Sequence, residues 1–154
     1  MSIEGLDRIL GEHDFFKGLA PEFLSLLAGC ASNAVFKDGE FLYREGEDAQ
    51  DFFLVRAGDV GLELATPAGG AIVIETLHEG DVLGWSWLVP PHRSRFDARA
   101  RGPVRCTRLD GACLRGKMET DHELGYQVYR RFLPILADRL GAARLQMLDL
   151  YGGS

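Results

Sequence analysis

A chain of 154 residues and 17.0 kDa is enough for one domain that buries a core without metal or disulfide staples. With 46% hydrophobic and 26% charged residues it does not have the composition of a disordered chain. A net charge of −6 and a pI near 5.2 argue against a stand-alone nucleic-acid binder, which would carry a basic face, although the arginines between Arg93 and Arg108 could make a local basic patch.

No apolar run reaches the roughly 18 residues of a membrane span, and no secretory signal precedes the first helical segment. Cys30, Cys106 and Cys113 are odd in number and widely spaced, which favours free thiols in a reducing compartment over a disulfide framework. The expected location is cytoplasmic.

Ile3, Leu6, Ile9 and Leu10 fall at helical spacing, so a short amphipathic helix is expected from about Ser2 to Glu12. Phe15 and Phe16 form an apolar anchor. Pro21 suits the first turn of a second helix carrying Phe23, Leu24, Leu26 and Leu27, closed by Gly29. From Asn33 the period changes. Val35-Phe36 and Phe41-Leu42-Tyr43 are short apolar runs on either side of a Lys37-Asp38-Gly39 turn. Phe52 to Val55 is a buried run turned by Arg56-Ala57-Gly58-Asp59. Val60, Leu62 and Leu64 then alternate as in a half-buried strand. Thr66 to Gly70 is a hairpin loop, and Ala71 to His78 returns. Phe96 to Arg101 and Val104 to Leu109, joined by Gly102-Pro103, are two further strands. Short strands with turns at such intervals suggest a roll, sandwich or barrel.

Asp110 is placed to cap a helix through Met118, and Asp121 to cap the next. Pro134 predicts a kink or a new start near Phe132-Leu133. Leu133, Leu136, Leu140, Ala143, Met147 and Leu150 are spaced three, four, three, four, three, the a/d seam of a coiled coil. That seam is expected to face a second copy of the chain, although a helix packed on its own β-layer would show a similar pattern.

The stretch from Gly80 to Ala100 carries the chemistry. Gly84 lets backbone approach a ligand, a following helix start offers N–H groups to an anion, and Arg93 and Arg95 supply guanidinium forks. The candidate ligand-binding set is Gly84, Trp85, Ser86, Trp87, Arg93, Arg95 and Phe96. The bland alternative is a capped loop whose aromatics sit in the core.

Several fragments now coincide in order: Gly39-Glu40, Arg44-Glu45-Gly46-Glu47, Phe53-Leu54-Val55, Gly58-Asp59-Val60-Gly61-Leu62, Glu79-Gly80-Asp81-Val82-Leu83-Gly84, and an arginine-bearing loop entering Ala98-Arg99-Ala100. Over nearly the whole chain this resembles a cyclic nucleotide-binding domain of the catabolite activator protein type. The resemblance implies a mainly β fold with flanking helices. Residues 1–32 would form N-terminal helices, 33–109 an eight-stranded, jelly-roll-like β-roll with the ligand cassette at 80–100, and 110–150 the C-terminal helices. In that family the cassette reads Gly-Glu, a short helix, then Arg followed by a small hydroxyl residue and Ala. The Glu receives a ribose hydroxyl and the Arg pairs with the cyclic phosphate. Gly84 matches the glycine, but Trp85 stands where the Glu belongs and Phe96 where the small residue belongs. Counting forward from Gly84 makes Arg95 the phosphate arginine. Counting back from Ala100 gives Ser94, and Arg93 is the alternative. Indole has an N–H donor and no acceptor, so Trp85 cannot take a ribose hydroxyl. The resemblance thus implies a small-ligand sensor that is not a high-affinity cAMP binder. The alternative is a cassette plugged by Trp85 and Trp87 in a scaffold for dimerisation or protein interaction.

No catalytic set is expected. His13, His78, His92 and His122 are scattered, without the His-x-His of a metal-dependent β-roll enzyme. Cys106 and Cys113 lack a metal-ligand spacing, and Ser86 lacks the second glycine of a nucleophile elbow. Glu45, Glu47 and Asp48 read as a solvated acidic turn. No cofactor and no metal are expected. The partners expected are a small anionic ligand such as a nucleotide or other phosphate, a second copy of the chain, and a further protein. No membrane contact is expected. Tyr151 to Ser154 are too few residues for a DNA-binding domain, so no direct DNA contact is expected either.

Overall fold

The structure is a computed structural model that describes residues 6–152; side chains are described for these except at 6, 7, 143, 146, 147 and 149–152. Ser2 to Gly5 of the expected first helix therefore lie outside the described residues, as do the side chains of Ala143, Met147 and Leu150. Helix α1 runs Leu6–Glu12, a 3-10 turn covers Asp14–Phe16, and α2 runs Pro21–Ala28 with proline in its first turn. Strands follow at Ala31–Phe36 (β1), Phe41–Tyr43 (β2), Asp51–Ala57 (β3), Val60–Ala65 (β4), Ala71–Leu77 (β5), Val82–Leu83 (β6), Asp97–Ala100 (β7) and Val104–Asp110 (β8). Helix α3 runs Gly111–Thr120 and α4 His122–Gly152. β1 thus begins at Ala31 and not at Asn33, and α3 continues past Met118.

Among the described residues the eight strands form two four-stranded antiparallel sheets, ordered β1-β8-β3-β6 and β2-β7-β4-β5. This is the expected β-roll. The shortest strand, β6, is only two residues long and pairs Leu83 with Phe53 and Val82 with Leu54. Leu62, Leu83, Ala98 and Val104 are fully buried within the roll.

A second apolar layer lies between the β3 side of the roll and the helices. Phe52 stacks on Trp87 at 5.0 Å and meets Phe132 edge-on at 5.0 Å, and Phe15 meets Phe132 at 4.9 Å. Leu124, Val128 and Phe132 are the buried row of α4, four residues apart, so each lies one turn beyond the last. The helix passes through Pro134 without a new start. Proline removes the bond to the carbonyl of Arg130, and both residues lie on the exposed face, where water can take that bond. The two expected caps are present: Asp110 Oδ1 accepts from the Cys113 amide at 3.0 Å and Asp121 Oδ1 from the Leu124 amide at 3.1 Å.

The cysteine reading needs correction. Cys30 and Cys113 are joined as a disulfide across a sequence separation of 83, with Cα atoms 5.8 Å apart. Spacing along the chain could not show this, because α3 returns to the end of α2 only in the folded molecule. Cys106 is a buried free thiol, and burial pushes its pKa up to about 12, so it stays protonated.

Candidate functional site

The cassette leaves β6 at Gly84, whose φ is +92°, and a Cβ there would stand 3.0 Å from the Asp51 carbonyl and 3.2 Å from Phe52 Cα. Glycine is required both for the turn and for the close approach to β3. Gly84→Ala is therefore expected to cost about 1–3 kcal/mol of stability, measured by chemical denaturation, as strained positive-φ positions do. A 3-10 turn, Ser86–Leu88, follows, with the Leu88 amide donating to the Trp85 carbonyl at 3.0 Å. The chain then returns beside the β2–β3 loop. The Ala49 amide donates to the His92 carbonyl at 2.7 Å, Ser94 to Glu47 at 2.9 Å, and Gly46 to Ser94 at 2.8 Å. The 44–50 loop and the end of the cassette are thereby tied together as two walls.

Between them lies a cavity of about 180 Å³. Gly84, Trp85, Ser86, Arg95 and Phe96 line it from the cassette, with Leu42, Tyr43, Phe53 and the Glu47–Asp51 segment opposite. Five of the seven candidate residues are thus brought together. The other two lie elsewhere. Trp87 is fully buried in the aromatic layer, with its indole Nε1–H lacking a protein partner. Arg93 turns to the 44–50 loop, 3.4 Å from Asp48 and donating to the Gly46 carbonyl at 3.1 Å.

The arginines differ in what they already hold. Arg99 donates to the Gly39 carbonyl and lies over the Phe41 ring, Arg101 faces Glu63 at 3.7 Å, and Arg108 faces Asp51 at 3.8 Å. Among the described residues Arg95 has no carboxylate partner; its guanidinium sits 5.7 Å from the Trp85 ring centre. The indole holds the cation at the cavity without consuming its N–H donors. Trp85 itself is 8% exposed and lines the cavity.

The opposite wall was missed in the sequence. Glu45, Glu47 and Asp48 are exposed, as expected of a solvated turn, and Glu47 and Asp48 also line the cavity. One Glu47 oxygen accepts from the Arg44 amide at 3.0 Å, which shapes the loop. Burial raises the Asp51 pKa, and the nearby Arg108 charge opposes that shift. Burial also pushes the Tyr43 phenol up to about 12, so it faces the cavity as a neutral hydroxyl. No local signal marks these residues, since their role depends on pairing with residues some 45 positions away.

Helix α4 touches the same region. Arg139, 5% exposed, donates to the Val82 carbonyl just ahead of the cassette and lies 3.2 Å from Glu75 of β5. Of the expected seam, Leu133 and Leu140 are 62% and 63% exposed, while Leu136 is half-buried against the core. Tyr126 and Tyr129 extend the exposed row toward the start of the helix. His78, alone in the sequence, pairs with Asp59 at 2.8 Å, and that hydrogen bond raises its pKa. Among the described residues no helix is long and apolar enough to cross a membrane.

This geometry has known relatives. The chain is 23% identical over 145 residues to a CRP-like cAMP-activated global transcriptional regulator of Mycobacterium tuberculosis, covering 94% of this chain and 63% of the relative. The chain thus spans less than two thirds of that protein. A cyclic nucleotide-binding protein from Geobacter metallireducens superposes with a TM-score of 0.77 at 26% identity, over 87% of this chain and 97% of the other. The regulatory subunit of a cAMP-independent protein kinase A from Trypanosoma cruzi, bound to guanosine, superposes at 0.74 with 22% identity, over 98% of this chain and 50% of that one. The model of the cyclic nucleotide-binding domain matches residues 34–121, from β1 to the end of α3 and so across both walls of the cavity. The chain belongs to the cyclic nucleotide-binding domain family.

Proposed function

We propose that the chain is a ligand-sensing regulatory module whose cavity takes a small phosphate-bearing molecule on Arg95, and that it binds cAMP weakly. One observation carries this reading. Arg95 lines a cavity with its guanidinium uncommitted to any carboxylate, while its arginine neighbours are spent on protein groups. A phosphate would find a planar fork there, supported by the polar Ser86 and Ser94.

Two features argue against cAMP as the ligand. The cavity, near 180 Å³, is below the roughly 300–1,000 Å³ of ordinary small-molecule sites. Trp85 also offers no acceptor for a ribose hydroxyl, which would cost about 1–3 kcal/mol if left unpaired. The guanosine-bound Trypanosoma relative is described as cAMP-independent, which supports the weak-cAMP part of the reading but not the phosphate, since guanosine carries none.

Occupancy would be passed on through Arg139, which ties α4 to the strand entering the cassette, and α4 would present its exposed row to a second copy. That row also supports the second reading, in which the domain is a dimerisation scaffold with no ligand.

A thermal-shift panel of inorganic phosphate, AMP, cAMP, cGMP and guanosine separates the two. At a hundredfold excess over its Kd a ligand adds about 2.7 kcal/mol, a shift of several degrees. The sensing reading expects a phosphate-bearing compound to raise the melting temperature while micromolar cAMP does not. A flat response to every compound would leave the scaffold reading.

A further inference from the structure

We propose that the Cys30–Cys113 disulfide is a reversible redox site that controls the order of the ligand cassette through α3. The proposal rests on the sensing reading for its biological sense but not for its test.

Helix α3 is wedged between two parts of the molecule. Toward α2, Cys113 is bonded to Cys30, and Lys117 Nζ donates to the Leu26 carbonyl at 2.7 Å. Toward the cassette, the Gly111 amide donates to the Gln50 carbonyl at 2.6 Å, and Arg115 Nη1 donates to the Trp87 carbonyl at 2.5 Å. A Cβ at Gly111 would stand 2.7 Å from the Gln50 carbonyl and 2.9 Å from Trp87 Cβ, so helix and cassette meet with no slack. Gln50 lines the cavity, and Trp87 lies in the 3-10 turn between Gly84 and Arg95. The disulfide is therefore one short helix away from both walls.

Breaking it would not unfold the region outright. The Asp110 amide still donates to the Cys30 carbonyl at 2.9 Å, and the Lys117 bond remains. What is lost is the covalent constraint on the first turn of α3, the turn that touches Gln50 and Trp87. Cys30 is 7% exposed and Cys113 half-buried, so Cys113 is the sulfur a reagent reaches first. A dithiol reductant of the thioredoxin class would attack there as thiolate, forming a mixed disulfide and expelling Cys30 as a thiolate that takes up a proton. The reductant's second thiol then displaces Cys113. Two electrons pass to the protein and the reductant leaves as its own disulfide.

The test compares the oxidised chain, the chain reduced with dithiothreitol, and a Cys30→Ala/Cys113→Ala double variant, all without ligand, by mass spectrometry, melting and amide hydrogen exchange. The melting temperature is expected to fall by about 5–15 °C on reduction. Amides of Trp85 to Val89 and Gly111 to Leu114 are expected to exchange at least tenfold faster, while those of β4 and β5 change little. The double variant should behave as the reduced chain. Equal acceleration across all strands would reduce the bond to a general staple and overturn the proposal. So would unchanged exchange in the cassette, or three alkylatable thiols in the air-oxidised chain. Because no ligand is present, none of these outcomes depends on the sensing reading, which the phosphate panel decides separately.

Discussion

Trp87→Ala is expected to destabilise the chain by about 3–5 kcal/mol, the range for emptying a large aromatic site. That is a large part of the roughly 5–15 kcal/mol that holds an ordinary domain. The indole is fully buried, stacked 5.0 Å from Phe52 and edge-on to Phe132 at 5.6 Å, so its removal opens the layer joining the cassette to α4. Trp87→Phe is expected to cost much less, because it keeps the ring stacking and removes an indole N–H that has no protein partner. Urea denaturation with both variants checks this. A loss under about 1 kcal/mol for the alanine variant would mean that Trp87 is not the keystone of that layer.

The second large effect belongs to Leu140. Tyr126, Tyr129, Leu133, Leu136 and Leu140 are spaced three, four, three, four, and all but Leu136 are exposed. This is the pattern of a seam awaiting a second helix, distinct from the buried row Leu124, Val128 and Phe132. In a two-fold dimer the change Leu140→Asp acts twice. Losing about 1.5–3 kcal/mol of burial from each copy removes about 3–6 kcal/mol, two or more orders of magnitude in affinity. Light scattering is expected to show a dimer for the parent chain and a monomer for the variant. A monomeric parent at high concentration would rule out the dimer.

How far these features are readable in the sequence follows the range of the interactions that make them. Val60, Leu62 and Leu64 announce β4 by their local alternation, although the strand is not half-buried as expected, Gly61 and Glu63 of its other face being buried too, and Asp110 and Asp121 announce their helices because a cap acts within three residues. Gly84 and Arg95 are read from their spacing, and both line the cavity. The failures are all non-local. Trp85 and Trp87 read alike in the sequence, but one lines the cavity and the other packs on Phe52 and Phe132, residues brought in from β3 and α4. Spacing from Gly84 favours Arg95 over Arg93 but does not show what either guanidinium holds. Only the bridge between Asp48 and Arg93 shows which of them is already engaged. The disulfide depends on α3 folding back to α2, and the acidic wall depends on the loop meeting the cassette. Pro134 looks like a helix breaker until its exposed position is known.

The division of labour between Arg93 and Arg95 is open to direct measurement by isothermal calorimetry. The tightest phosphate-bearing compound of the thermal-shift panel would be titrated into the parent chain, Arg95→Ala and Arg93→Ala. Removing a charged hydrogen-bonding partner costs about 1.5–3 kcal/mol, so Arg95→Ala is expected to weaken binding by roughly 10- to 150-fold. Arg93→Ala, whose guanidinium is held by Asp48 and Gly46, is expected to change it by less than about threefold. Undiminished binding to Arg95→Ala, or a greater loss in Arg93→Ala, would contradict the assignment of Arg95 as the anion contact.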